Sequence, residues 1–229
     1  MAMVVLAGWM AVSGGAMVAQ QKAAAEPAWE AELHARHDAL VKRRGPGTDS
    51  ALRARLLEMG REDQAAPERG LTQPKVGDEA RFHLSANARE TDNKLTEELK
   101  AIVGKDGWPT IAMVGIDASN AAMLILAHTT DHAWQLSQLP TLEKLAGDEE
   151  IDGSMVALVV DKQLVAEHKL QRYGTQFKMV DGQAMMFAVE DPQRLDERRA
   201  RAFLPPMAAY KQGLAQMYHV QVSDMIVRP

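Results

Sequence analysis

Apolar positions recur at helical spacing along most of the chain. Trp29, Leu33, His37, Leu40 and Val41 form a stripe after Pro27, closed by Gly45-Pro46-Gly47, which predicts a first helix. Thr48-Asp49-Ser50 supplies a cap for a second, carrying Leu52, Leu56, Leu57 and Met59 and ending near Gly60. From Asp63 to Gly77 the chain is polar and broken by Pro67, Gly70, Pro74 and Gly77, so a loop is expected. A third helix is expected from about Leu84 through Leu95, Leu99, Ile102 and Val103 to Gly104. Asp106 to Thr110 reads as a turn, and Ile111 to Val114 as a short extended or helical run. Ala118 to Ala127 is apolar on nearly every face, the pattern of a central buried helix, and it ends at His128.

Beyond it, Thr130 or Asp131 can cap a helix holding Trp134, Leu136 and Leu139, kinked or restarted at Pro140. The acidic run Glu143 to Asp152 reads as a solvated loop. Ser154 can cap the next helix, with Met155, Leu158, Val159 and Val165 inward. Asp181-Gly182 between two apolar runs predicts a type I′ hairpin, with Val180 opposite Gln183 and Phe177 opposite Met186. Asp191-Pro192 reads as N-cap and first-turn proline of another helix, and Pro205-Pro206 separates it from a last one bearing Met207, Tyr210, Leu214 and Met217. The fold class is mainly α (α+β): a helical domain over residues 84–229 with one β-hairpin, preceded by a helical lead-in and loop over 26–83.

Composition changes this picture at the N-terminus. The first charged side chain is Lys22, and the stretch before it is apolar and then small, the pattern of a signal peptide over residues 1–25 with cleavage after Ala16, Ala19 or Ala25. An uncleaved N-terminal anchor and a buried helix are the alternatives. The expectation is export, to the periplasm or beyond. Without residues 1–25 the chain has 25 basic against 31 acidic residues, a balance that argues against nucleic acid and anionic membranes as partners. With no Cys there is no disulfide, thiolate nucleophile or Cys-based metal site.

Candidate chemistry gathers in two places. His128 can serve as an acid or base, with Asp131 beside it, or can be a core histidine held by Asp131 or a backbone carbonyl. His128-Thr-Thr-Asp131-His132 also resembles the His-x-x-Glu-His of inverted zinc peptidases. Asp131 is a methylene shorter than Glu, however, and a helix starting there spoils the i,i+4 geometry, so no metal is expected. Gln171-Arg-Tyr-Gly-Thr-Gln176 has five hydrogen-bonding side chains in six residues. Read as a strand, it puts Gln171, Tyr173 and Thr175 on one face and Arg172, Gly174 and Gln176 on the other. Such a segment can line a pocket for a small polar ligand or pin the hairpin to the helices. Arg198 can clamp an anion, whereas Arg199 reads as complementing its helix dipole. Ser119 lacks a nucleophile elbow and reads as a cap or packing residue. Neither a phosphate-binding loop nor a dinucleotide fingerprint is found, and no cofactor is expected.

Several of these pieces occur in one order: Asp92-Asn93, Gly107-Trp-Pro-Thr110, Val114-Gly115, Ala118-Ser-Asn-Ala-Ala122, His128 with Asp131 and Gln135, Gln171 to Gln176, Glu190-Asp-Pro192, Arg198-Arg199, and Leu204-Pro205 with Tyr210. In this the chain resembles an uncharacterised bacterial domain-of-unknown-function family. Its members usually carry Gln before the His, where this chain has Ala127, and Gly-Leu-Pro where it has Phe203-Leu204-Pro205. The resemblance implies a shared fold and a shared polar site, and brings no substrate. The expected function is a ligand-binding or hydrolytic site for a small polar, anionic molecule. In it His128 is the acid/base, Gln171, Tyr173 and Gln176 orient the ligand, and Arg172 or Arg198 supplies charge. The alternative is a non-catalytic cell-envelope interaction or structural module.

Overall fold

The computed structural model describes residues 3–4, 27–65 and 78–229. The expected leader, Met3 and Val4 apart, and residues 66–77 of the loop expected from Asp63 to Gly77 lie outside those residues. The architecture is mainly helical with a small sheet, as the periodicity predicts. The elements are β1 (Met3–Val4), α1 (Ala28–Arg44), α2 (Ser50–Ala65), α3 (Asp78–Asp106), α4 (Ile111–Val114), α5 (Ile116–His128), α6 (His132–Gly147), α7 (Gly153–Ala166), β2 (Phe177–Val180), β3 (Gln183–Phe187), α8 (Leu195–Arg201), α9 (Met207–Tyr218) and β4 (Gln221–Val227).

The centre is α5. Every residue from Ala121 to Leu126 is buried, along with Ala118 and Ser119. Each fully buried Met, Leu or Ile among them contributes about 1.5–3 kcal/mol of transfer free energy. Around it pack Leu56 and Met59 of α2, Leu95 and Leu99 of α3, Leu142 of α6, and Met155, Val156, Val159 and Val160 of α7. The second helix does not stop at Gly60 but runs on to Ala65. A side chain at Gly60 would meet the Ala121 methyl at 3.0 Å, so the glycine marks a close crossing of α2 and α5 rather than a helix end. That extension carries Asp63 into the core, where the sequence reading had a loop. Arg53 fastens the other end of the crossing, donating to both oxygens of Asp117 at 2.6 and 2.7 Å and to the Val114 carbonyl at 2.8 Å.

Two other boundaries move. Glu143 lies within α6, which passes through Pro140 without restarting, so the acidic stretch is loop only after Gly147. The cap of α7 is Asp152, two residues before the expected Ser154, whose N–H donates to the Asp152 side chain at 2.9 Å. Asp191 adopts a left-handed φ of 41° and leads into a short 3₁₀ turn, Pro192–Arg194, before α8.

The hairpin has the expected register, Val180 opposite Gln183 and Phe177 opposite Met186. Asp181 and Gly182 have φ of 48° and 78°, both positive as a type I′ turn requires. The sequence reading missed a third strand. β4 lies parallel to β3 on its far side, and β1 adds two residues to the opposite edge, against Phe177 and Lys178. The β3–β4 ladder breaks between Ala184 and Met186, opposite Ser223–Met225, where the Met225 N–H turns back to the Ser223 hydroxyl at 3.1 Å. Phe177, Ala184, Met186 and Leu214 seal the sheet against α9. No helix among the described residues is long and apolar enough to cross a membrane.

Candidate functional site

The C-terminal end of α5 is where the bundle becomes polar. His128 is the last residue of that helix and points toward the end of α2, its Nδ1 3.0 Å from each carboxylate oxygen of Asp63. Asp63 is 1% exposed and also accepts from the Gln64 amide at 2.8 Å. The His128 side chain keeps 18% of its surface open, and its Nε2 makes no hydrogen bond among the described residues. A carboxylate on Nδ1 favours the tautomer with the proton there and leaves the Nε2 lone pair outward. The partner expected for His128 was Asp131 or a backbone carbonyl; the structure supplies Asp63 instead. Asp131 is the N-cap of α6, accepting from Trp134 N–H at 3.0 Å, and it pairs with Lys100 at 2.7 Å. That ammonium and the backbone N–H of Trp134 hold its carboxyl below the usual carboxylate range.

The corner between the two helices is clamped to α3. Thr96 donates to the buried Thr129 hydroxyl at 2.9 Å, and Thr130 donates to Asn93 at 2.5 Å. His128 and His132 therefore belong to different helices, as the helix start at Asp131 predicts. Among the described residues no group of three His, Asp or Glu is arranged to hold a metal. Gln135 is buried and donates to the Leu126 carbonyl at 2.6 Å, and Lys162 of α7 donates to the Ala127 carbonyl at 3.1 Å. Ser119 is a packing residue, its hydroxyl donating to the Pro109 carbonyl at 2.8 Å.

The Gln171–Gln176 segment is not a strand, and its exposure does not alternate. Gln171, Gly174, Thr175 and Gln176 are buried while Arg172 and Tyr173 are half-buried. It is wrapped around Asp161, a buried carboxylate on α7. Asp161 accepts from the backbone N–H of Arg172 (2.7 Å), Tyr173 (3.1 Å) and Thr175 (2.9 Å) and from the Thr175 hydroxyl (2.9 Å). Burial nonetheless pushes its carboxyl above the usual range. Gln171 spans the neck of the loop, donating to the Gln176 and Phe187 carbonyls and accepting from Gln176 N–H at 2.9 Å. Gly174 has a φ of 69°, which other residues adopt only with strain, and a side chain there would also push aside the Met207 methyl at 2.5 Å.

Arg199 holds the loop from the other side. It stands in the last turn of α8, where it was expected to complement the helix dipole, and it is wholly buried. Its Nε donates to the Pro205 carbonyl at 2.7 Å and an Nη to the Tyr173 carbonyl at 2.6 Å, with the guanidinium 4.6 Å from the Tyr210 ring centre. Burial lowers its pKa to about 10 and raises that of Tyr210 to about 12. Tyr173 thus gives its N–H to one buried charge and its carbonyl to the other. Arg198 donates to the carbonyls of Arg172, Glu190 and Asp191, while the Arg172 side chain pairs with Glu143 at 2.7 Å. Among the described residues no hydrogen bond or ion pair joins His128 to Gln171, Arg172, Tyr173, Gln176 or Arg198.

A model for a family of unknown function, DUF6624, matches residues 50–223, about three quarters of the chain. The chain belongs to the DUF6624 family. No curated protein and no solved structure gives a significant match. The DUF6624 match opens on the first residue of α2 and closes within β4, so it takes in both polar regions and leaves α1 outside. Three residues of those regions escaped sequence reading: Asp63, Asp161 and Lys162. For Asp161 a signal existed, since it interrupts the apolar run from Met155 to Val165 on a face that must pack.

Proposed function

We propose that the chain carries a binding or hydrolytic site for a small polar molecule at the C-terminal end of α5, with His128 as acid/base and Asp63 as the residue that orients it. The observation that carries this reading is the pairing of a wholly buried carboxylate with one ring nitrogen while the ring stays partly open. Such a carboxylate fixes the tautomer, and positioned imidazoles of this kind contribute about 10²–10⁴-fold to proton transfer. On this reading the Asp161 loop is the frame that seats α7 and the hairpin, and Arg172 and Arg198 lie at its solvent side.

The test has two parts. Nitrogen NMR of the His128 ring is expected to show a protonated Nδ1 in wild type and a changed tautomer ratio in Asp63→Asn. Ester, phosphomonoester and amide substrates are then compared between wild type and His128→Gln, with a loss of about 10²-fold or more expected for the one that is turned over. A ring protonated at Nε2, or turnover equal in both proteins, sinks the proposal.

A second reading, a non-catalytic cell-envelope module, is favoured by one observation: Gln171 and Asp161 spend their hydrogen-bonding atoms on neighbouring backbone. It predicts that no substrate class is turned over. Export is part of either proposal and rests on the uncharged stretch before Lys22. N-terminal sequencing of protein from a periplasmic fraction tests it: a start at residue 17, 20 or 26 supports export. An intact N-terminus overturns cleavage and would agree with Met3–Val4 lying beside β2, while absence from the periplasmic fraction overturns export.

A further inference from the structure

Lysines of this molecule mostly hold carboxylates: Lys94 pairs with Glu62, Lys144 with Asp148, Lys169 with Glu167 and Lys211 with Asp224. Lys162 is different. It is half-buried, it makes one hydrogen bond, to the Ala127 carbonyl, and no carboxylate pairs with it among the described residues. Burial, with no countercharge acting on it, pulls its pKa below the usual lysine value. A desolvated cation in this state is costly, and two of its three N–H donors are left for water or for an anion.

Its position gives this a direction. Residues seven apart share a helix face, two turns along. Asn120 faces Asp152 at the start of α7, so Ala127 lies on the α7 side of α5. Ala121 faces Gly60, so His128 lies on the α2 side. Lys162 and His128 therefore approach the last turn of α5 from neighbouring faces. Other cations read from the sequence are committed elsewhere, Arg172 to Glu143 and Arg198 to three carbonyls.

We propose that Lys162 receives a small oxyanion group, phosphate or carboxylate, over the last turn of α5 beside His128, so that Lys162 supplies the positive charge of the site. This rests on the placement of the site at His128 given above. The rival role for Lys162 is a helix C-cap spent on the Ala127 carbonyl and the helix dipole. A cap affects stability and leaves anion affinity untouched.

The experiment titrates inorganic phosphate, and separately acetate, into the full-length protein at constant ionic strength, following the His128 ring and Lys162 side-chain NMR signals. Saturable shifts at both residues are expected. Lys162→Gln should weaken binding about tenfold or more while Lys162→Arg retains it, as removal and retention of a charge-assisted hydrogen bond imply. Phosphate favoured over acetate assigns a phosphate-bearing ligand, and the reverse a carboxylate. Shifts scattered over surface lysines without saturation at His128, or equal affinity in Lys162→Gln, overturn the proposal. Lys162→Met, which keeps the apolar stem, replaces the Gln variant if that fails to fold. Anion binding without substrate turnover removes the acid/base role and leaves this inference standing. Turnover that needs His128 but not Lys162 does the opposite.

Discussion

Asp63 and Asp161 are both buried aspartates on helices, yet their partners differ in kind. Among the described residues Asp63 holds an imidazole and an amide, side chains that rotate and, in the imidazole, reach solvent. Asp161 holds three backbone N–H groups and a hydroxyl from a single loop, which it cannot release without opening that loop. The lesson is that partner type, more than burial, separates a position open to chemistry from one that holds the fold. A carboxylate bonded to side chains can exchange a partner for a ligand. One bonded to backbone has become part of the chain's architecture.

The sharpest way to break this contrast is Asp161→Ala. It strands three backbone donors and the Thr175 hydroxyl inside the core, so a loss of about 3–5 kcal/mol is expected in urea unfolding. A loss below about 1 kcal/mol would mean the loop does not depend on its aspartate. Next is Arg199→Lys. An ammonium cannot reach the Pro205 and Tyr173 carbonyls in the fork geometry of a guanidinium, and about 2 kcal/mol should be lost despite conserved charge. By contrast His128→Ala is expected to cost about 1 kcal/mol or less, because the ring is partly open and Asp63 keeps its Gln64 bond. A cost near that of Asp161→Ala would place His128 in the frame and erase the distinction.

The smallest effect is a pH dependence on a third region, the charged seam between α2 and α3. Lys94 and Arg55 hold the Glu62 carboxyl, and Arg55 the Glu98 carboxyl, below the usual 4.5. Folded pKa values below the unfolded one mean that this stabilisation is present above pH 4.5 and is lost as pH falls through the lower folded values. Arg55→Met should therefore lie closest to wild type in acid and furthest from it near neutrality. The gap should stay under about 1 kcal/mol, since these side chains are about a third exposed. Urea midpoints from pH 7 to 3 measure it, and a gap that widens toward acid would contradict the assignment.

Much of the frame was legible in the sequence, and the reasons are local. The hairpin register follows from two residues that tolerate positive φ, and the burial of α5 from an apolar run with no polar face. What stayed hidden depends on contacts distant in sequence. Gly60 reads as a helix end until Ala121 is seen against it, and a helix that ends there puts Asp63 in the loop that follows. Asp-Glu-Arg-Arg-Ala-Arg reads as charges complementing a helix dipole, because nothing local reveals that Pro205 and Tyr173 will offer carbonyls to Arg199. The strand β4 was missed although Val220 and Val222 alternate with Gln221 and Ser223, a signal too short to stand alone. Of the candidate site, His128 could be named from its place at the end of α5. Its partner could not, since that depended on where α2 stops.

The break in the β3–β4 ladder has a consequence for the behaviour of the protein in concentrated solution. β4 is an outer strand, and it shows Met225 and Ile226 at 61% and 51% exposure. A straight strand with those side chains and a free row of N–H and C=O groups would template growth of the sheet by further copies. The bulge at Ser223–Met225 turns one of those N–H groups inward and bends the row. Asp224, fully exposed at its apex and paired with Lys211 at 3.0 Å, places a hydrated ion pair where a neighbouring copy would have to dock. An irregular, charged edge of this kind is a poorer template for a further strand than a straight one, which sets the bulge against the two exposed apolar side chains beside it.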